Sequence, residues 1–192
     1  MTPEVVTFSG ALVRPLEPDL GELDIGDIAH GLSCICRWNG ATRSFYSVAQ
    51  HSVLVSRLLP HEHALAGLLH DASEALLSDV VRPLKYAADF AAFYIDAEEK
   101  LMRAIAERFR FAWPLASAVH EADQVVLRTE MRDLIPPVRP IPPGTMLPAA
   151  IRAMATGARG SGVSHRVSRA RAGLKKHNGA WRPAISPVAQ VA

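Results

Sequence analysis

Residues 68–79, "LLHDASEALLSD", set one imidazole and three carboxylates, His70, Asp71, Glu74 and Asp79, among small apolar side chains. Removing an unpaired carboxylate from water is costly, so a buried one comes with a partner, and a metal ion is one such partner. Read as a helix, the stretch places His70 and Glu74 four residues apart and Asp71 and Glu74 three apart, on overlapping faces. Two other segments carry side chains of the same kind. His51 is flanked by Val48, Leu54 and Val55, and Asp123 shares a helical face with Val119, Val126 and Leu127. His51, His70, Asp71 and Asp123 together make a mixed nitrogen and oxygen donor set, suited to Mn, Co, Fe, Ni or Zn with positions left for water or substrate. Each residue also has an ordinary reading. A His on an apolar face is more often a core histidine than a ligand, adjacent His-Asp pairs arise by chance, and Asp123 can bond Arg128. Spacing alone leaves both readings open.

The elements that must position these groups read as helices. Asp24 or Asp27 can cap a short helix over 24–34, and the Asn39-Gly40 pair marks a turn in "CRWNGATRSFYS". Ser47 then precedes "VAQHSVLVSRLL", whose apolar spacing is helical, and Pro60 ends it. Residues 62–78 form a second strong helical pattern and 86–109 a long amphipathic one. Pro114 suits the first turn of another helix that runs to about Leu134, where Pro136 and Pro137 stop it. Residues 1–24 hold only short extended signals, so the expected fold class is all-α, a bundle of about five to six helices.

Composition agrees with an ordinary globular domain: 192 residues, 49% hydrophobic and 21% charged. The absence of any run of eighteen apolar residues argues against a membrane span. The segment "MTPEVVTFSG" lacks a basic region followed by an apolar stretch, and Cys34 and Cys36 fit neither a disulfide framework nor a zinc pattern, so a cytoplasmic location is expected. Charge is uneven. Nine of the 21 Lys and Arg residues follow Asp133, where no Asp or Glu occurs, leaving twelve basic against 19 acidic residues before that point, a net of −7. The expected division is a domain over 1–148 and a basic, poorly ordered tail over 149–192. An acidic body disfavours a long polyanion such as DNA, so nucleic acid is an unlikely partner.

The series His51, His70-Asp71 and Asp123 resembles the signature of the HD-domain phosphohydrolases, an all-α, metal-dependent superfamily. Within it, "CRWNGATRSFYSVAQHS", "LLHDASEALLSDVVRPLK" and "EADQVVLRTEMRDL" resemble the small HD nucleotidases, the bacterial 5′-deoxynucleotidases and related nucleotide phosphohydrolases. The resemblance spans roughly residues 7–137. It implies one divalent metal ion (Mn, Co, Fe, Ni, Zn or Mg) held by His51, His70, Asp71 and Asp123. It implies Glu74 as general acid/base or water-orienting carboxylate and Asp79 as a second active-site acid near the nucleoside end. Arg37 and Trp38 match the substrate-pocket pair, and Lys85 in "RPLK" is a candidate phosphate contact. Hydrolysing a phosphate ester needs charge neutralisation, a positioned water and a protonated leaving oxygen, and these residue types supply them.

The resemblance implies hydrolysis of free nucleotides, foremost nucleoside 5′-monophosphates, with di- and triphosphates as the near alternative and a homodimer as the expected assembly. An alternative of another class is a nucleic-acid-binding module with a vestigial metal site, against which the retention of all four ligand positions, Glu74 and Asp79 speaks. His61 and His63 read as a solvated helix start, His30 and His120 as core or surface, and Glu130 with Arg132 as a structural pair. The family closes with a further helix after the Pro-rich strap, which residues from about 150 onward do not resemble. A shifted reading frame would account for that.

Overall fold

The computed structural model describes residues 3–137, 140–153, 174–177 and 180–183. Among these residues the fold is all-α, with seven helices and two short antiparallel hairpins. Local capping starts the first helices where the sequence places them. The Asp24 carboxylate accepts from the amides of Gly26 and Asp27 and opens α1 (Ile25–Cys34). Ser47 and Gln50 form a reciprocal capping box at α2 (Val48–Leu58), satisfying two backbone donors that the first turn would leave unpaired. The extended signals near the start become β1 (Val5–Val6) and β2 (Leu12–Val13), with Val5 opposite Val13. Asp27 ties this hairpin to α1 by accepting from the Thr7 hydroxyl at 2.7 Å and the Ser9 amide at 2.8 Å.

The single helix expected over 62–78 is instead two. α3 (His61–Leu68) ends at Leu69, residues 70–73 turn, and α4 (Glu74–Leu77) is one turn long. The backbone tightens to three-residue bonds, from the Ala72 amide to the Leu69 carbonyl and from the Glu74 amide to the Asp71 carbonyl, both at 3.0 Å. Adjacent residues of a regular α-helix point about 100° apart, and in this turn the His70 Nε2 and Asp71 Oδ2 atoms come within 3.2 Å of each other.

After α4 come α5 (Arg82–Lys85), a single turn not evident from periodicity, then α6 (Ala88–Phe109) and α7 (Ser117–Asp133). Pro114 stands three residues before α7 rather than in its first turn, because Phe111, Trp113 and Leu115 of the connection pack onto the core instead. One core cluster joins Leu101, Met102 and Ile105 of α6 to Ile28 and Leu32 of α1 and Val48 and Ala49 of α2. A second joins Val55 of α2 to Ala66 of α3 and Val119, Ala122 and Val126 of α7. α2 therefore lies between both clusters, and its inward His51 is fully buried.

Backbones approach closely where α1 meets α4. A Cβ on Gly31 would stand 3.1 Å from the Ala75 Cβ and 3.2 Å from its carbonyl oxygen, so only glycine fits without displacement. Gly31→Leu is expected to destabilise the protein by about 1–3 kcal/mol through overpacking, read as a lower urea midpoint at unchanged slope. An unchanged midpoint would show that α4 gives way freely.

The Pro-rich strap after α7 folds back on that helix. The Thr129 hydroxyl accepts from the Leu147 amide at 2.9 Å, Arg132 donates to the Leu147 carbonyl at 2.9 Å, and Asp133 accepts from the Ile151 amide at 2.7 Å. Farther on, β3 (Leu174–His177) pairs antiparallel with β4 (Ala180–Pro183), Leu174 opposite Pro183. The poor order and the shifted reading frame expected of the tail otherwise concern residues outside those described. Among the described residues no helix is long and apolar enough to cross a membrane.

Candidate metal centre

His51 from α2 and His70 and Asp71 from the turn after α3 bring their ligand atoms together as a group able to hold a metal ion. The His51 Nε2 and His70 Nε2 atoms are 3.3 Å apart, His70 Nε2 lies 3.2 Å from Asp71 Oδ2, and His51 Nε2 lies 3.8 Å from the same oxygen. The triangle these three atoms make has a circumradius of about 2.0 Å, so points equidistant from all three begin at the bond length that divalent zinc-like ions make to nitrogen and oxygen. Asp123 of α7 adjoins the group, its Oδ1 3.1 Å from His51 Nε2 and 4.0 Å from His70 Nε2. The donor chemistry and spacing fit a divalent ion. His70 is oriented from behind by its Nδ1, which donates to the Gly67 carbonyl at 2.9 Å.

Arg37 enters the same centre. Its guanidinium lies 3.3 Å from His51 Nε2, 3.5 Å from Asp71 Oδ2 and 3.9 Å from Asp123 Oδ1, with only 14% of the side chain exposed. The chain leaves this position through a run of left-handed backbone: Trp38, Asn39 and Gly40 all have positive φ, at 58°, 49° and 76°. Asn and Gly tolerate this conformation, whereas for Trp it costs on the order of 1–3 kcal/mol. The Trp38 indole N–H is tethered to Glu130 Oε2 at 3.0 Å, and the Arg37 amide donates to the Tyr46 carbonyl at 2.8 Å.

Electrostatics divides the carboxylates. Burial opposes ionisation of Asp71, but the imidazole of His70 and the guanidinium of Arg37 outweigh it and hold that carboxyl far below the usual range. Asp123 is likewise held down, burial being outweighed by His51 and His70. Glu74 goes the other way. Burial first, then the negative charges of Asp71 and Asp79, push it up to about 9, and its Oε2 is buried with no hydrogen-bond partner. Asp79 is raised more mildly by burial and Asp71. It follows Ser78, another non-glycine residue at positive φ (67°), whose carbonyl accepts from the Tyr94 hydroxyl at 3.0 Å.

Lys85 is held by an ion pair, its ammonium 2.6 Å from Glu98 on α6 and 5.5 Å above the Tyr94 ring, and its charge also acts on Glu74 and Asp79. One pairing differs from the sequence reading. Glu130 does not pair with Arg132, which binds its neighbour Asp133 at 2.7 Å. Instead Glu130 is fully buried, with Oε1 2.7 Å from His51 Nδ1 and Oε2 near Trp38 and Arg37. Burial favours its neutral form, yet His51 and Arg37 keep its carboxyl below the ordinary value. The face it occupies was legible in the sequence, since Glu130 falls seven residues after Asp123, two turns along the same side of α7, whereas its partners were not.

No protein-family model matches the chain. Over 130 residues it is 41% identical to the uncharacterized protein YfdR of Escherichia coli (strain K12), an alignment covering 68% of this chain and 71% of that protein. Over 140 residues it is 36% identical to the uncharacterized protein RCAP_rcc00048 of Rhodobacter capsulatus, covering 66% and 70% of the two chains. At that identity over two thirds of its length, the chain belongs to the family of YfdR and RCAP_rcc00048.

Proposed function

We propose that this protein is a metal-dependent phosphohydrolase of HD type that releases phosphate from free nucleotides, foremost deoxynucleoside 5′-monophosphates. The observation that carries the reading is the meeting of His51, His70 and Asp71 at metal-binding distances with the buried Arg37 guanidinium at the same centre. His51, His70 and Asp71 hold the ion, and Asp123 serves as the fourth ligand. When bound, a divalent ion neutralises charge on the phosphate oxygens and favours ionisation of water.

The chain's own groups do the rest. Arg37 is a permanent cation with a planar fork, suited to a phosphate dianion. Burial and the charges of Asp71 and Asp79 raise the Glu74 carboxyl in the metal-free site, and as a protonated acid it would hand its proton to the leaving ester oxygen as water adds to phosphorus and the phosphorus–oxygen bond breaks. Trp38 offers an aromatic face for a sugar or base, which favours nucleotides over small sugar phosphates. Asp79, half-buried beyond Glu74, accepts a hydrogen bond from the sugar 3′-hydroxyl.

The test is a nucleotide panel with Mn(II) or Co(II), in which phosphate, pyrophosphate and triphosphate release are distinguished. The 5′- and 3′-monophosphates of one deoxynucleoside are assayed side by side. Faster release from the 5′-ester is expected. Equal rates would remove the orientation assigned through Asp79, and no release from any nucleotide would remove the activity.

A further inference from the structure

The two oxygens of the Glu130 carboxylate serve different parts of the site. Oε1 faces His51 Nδ1 at 2.7 Å, while Oε2 accepts from the Trp38 indole N–H at 3.0 Å and from Arg37 Nε at 3.5 Å. An ionised carboxylate only accepts, so the hydrogen of the first contact belongs to His51 Nδ1, which leaves Nε2, on the side of His70 and Asp123, as the ring nitrogen turned toward the ligand group. The second oxygen fixes the strained left-handed segment that carries Arg37 and Trp38. The first contact is sealed from solvent, Glu130 and His51 both being 0% exposed. We infer that Glu130 is a positioning residue that couples the Arg37–Trp38 arm to the ligand His51, so that metal affinity and the shape of the anion pocket change together. The inference rests on the metal reading proposed above.

Chemistry supplies a clean probe. Replacing Glu130 with Gln keeps the shape but leaves one acceptor oxygen where two are used. That oxygen can serve His51 or the Trp38–Arg37 pair, and the amide NH2 then meets N–H donors on the other side. Imidazole ligands that lose such a carboxylate typically lose 10–100-fold in metal affinity.

The experiment is Mn(II) titration calorimetry on the full chain and on Glu130→Gln and Trp38→Phe, with the Trp38 indole N–H followed by NMR. That signal is one of three tryptophan indoles and is identified by its disappearance in Trp38→Phe. Glu130→Gln should bind Mn(II) about 10–100-fold more weakly, and its Trp38 indole hydrogen should exchange faster with solvent. Trp38→Phe, which removes no atom from the ligand group, should still weaken Mn(II) binding several-fold. Unchanged Mn(II) affinity in Trp38→Phe overturns the coupling, and this arm decides the matter if Glu130→Gln fails to fold. An unchanged indole signal in folded Glu130→Gln also overturns it. If the parent chain takes up no Mn(II) while Glu130→Gln still frees the indole, the metal reading falls and the anchoring of the arm by Glu130 stands.

Discussion

Glu74→Gln is expected to make the metal-free protein more stable at neutral and alkaline pH while it removes turnover. The carboxyl titrates at 4.5 in the unfolded chain and at about 9 when folded. Between those values the unfolded state has released a proton that the folded state keeps, so stability falls as pH rises, by about 1.4 kcal/mol per unit. The sign follows from the direction of the shift: the contribution of Glu74 is intact below pH 4.5 and lost progressively up to about 9. Glutamine carries no such proton. The variant should match the parent near pH 4.5 and exceed it by up to about 3 kcal/mol at pH 7. Urea unfolding in the presence of a chelator across that range measures the difference, and parallel curves would refute the burial of a neutral acid here. With Mn(II) present the same variant should retain the ion and lose turnover by about 10²-fold or more. A residue whose removal stabilises the fold and stops the reaction is held in place for function rather than for folding.

Asp71→Asn should abolish metal retention and hydrolysis together. Its Oδ2 lies 3.2 Å from His70 Nε2 and 3.5 Å from the Arg37 guanidinium, and the charge of Asp71 is the main cause, after burial, of the elevation of Glu74. The amide preserves volume but removes the negative charge that a divalent ion requires. Elemental analysis after gel filtration should find metal in the parent and in Glu74→Gln, but only background in Asp71→Asn. The metal-free Asp71→Asn protein should also have a weaker dependence of stability on pH between 4.5 and 9, because Glu74 then loses a like-charged neighbour. Full metal content in Asp71→Asn would remove that residue from the ligand set. Unaltered pH dependence would separate Glu74 from it electrically.

Much of this protein is determined by signals read within a few residues. Asp24 and Ser47 start α1 and α2 because a side-chain oxygen two or three residues before an unpaired amide can reach it, whatever the rest of the chain does. The apolar period of residues 48–59 sets α2, and the Asn39-Gly40 pair sets the left-handed turn. His51, His70, Asp71 and Asp123 were likewise legible as groups that need a partner on an apolar face, though spacing alone left core and ligand readings open and the ligand set came from the family resemblance.

What only the tertiary structure decided is the convergence of those groups and the company they keep. The helix over 62–78 looked continuous because Ala and Leu favour helix locally, yet the chain breaks at residues 69–73, where His70 and Asp71 come together. Lys85 reads in sequence as a candidate phosphate contact, and packing α5 on α6 adds an ion pair with Glu98 that no local signal announced. Glu130 lies 79 residues from His51 and 92 from Trp38, separations over which no helical period or capping rule carries information. Its partners exist because α2 packs on α7 through Val55, Val119 and Val126, and that packing buries the carboxylate beside His51, Arg37 and Trp38, which satisfy it.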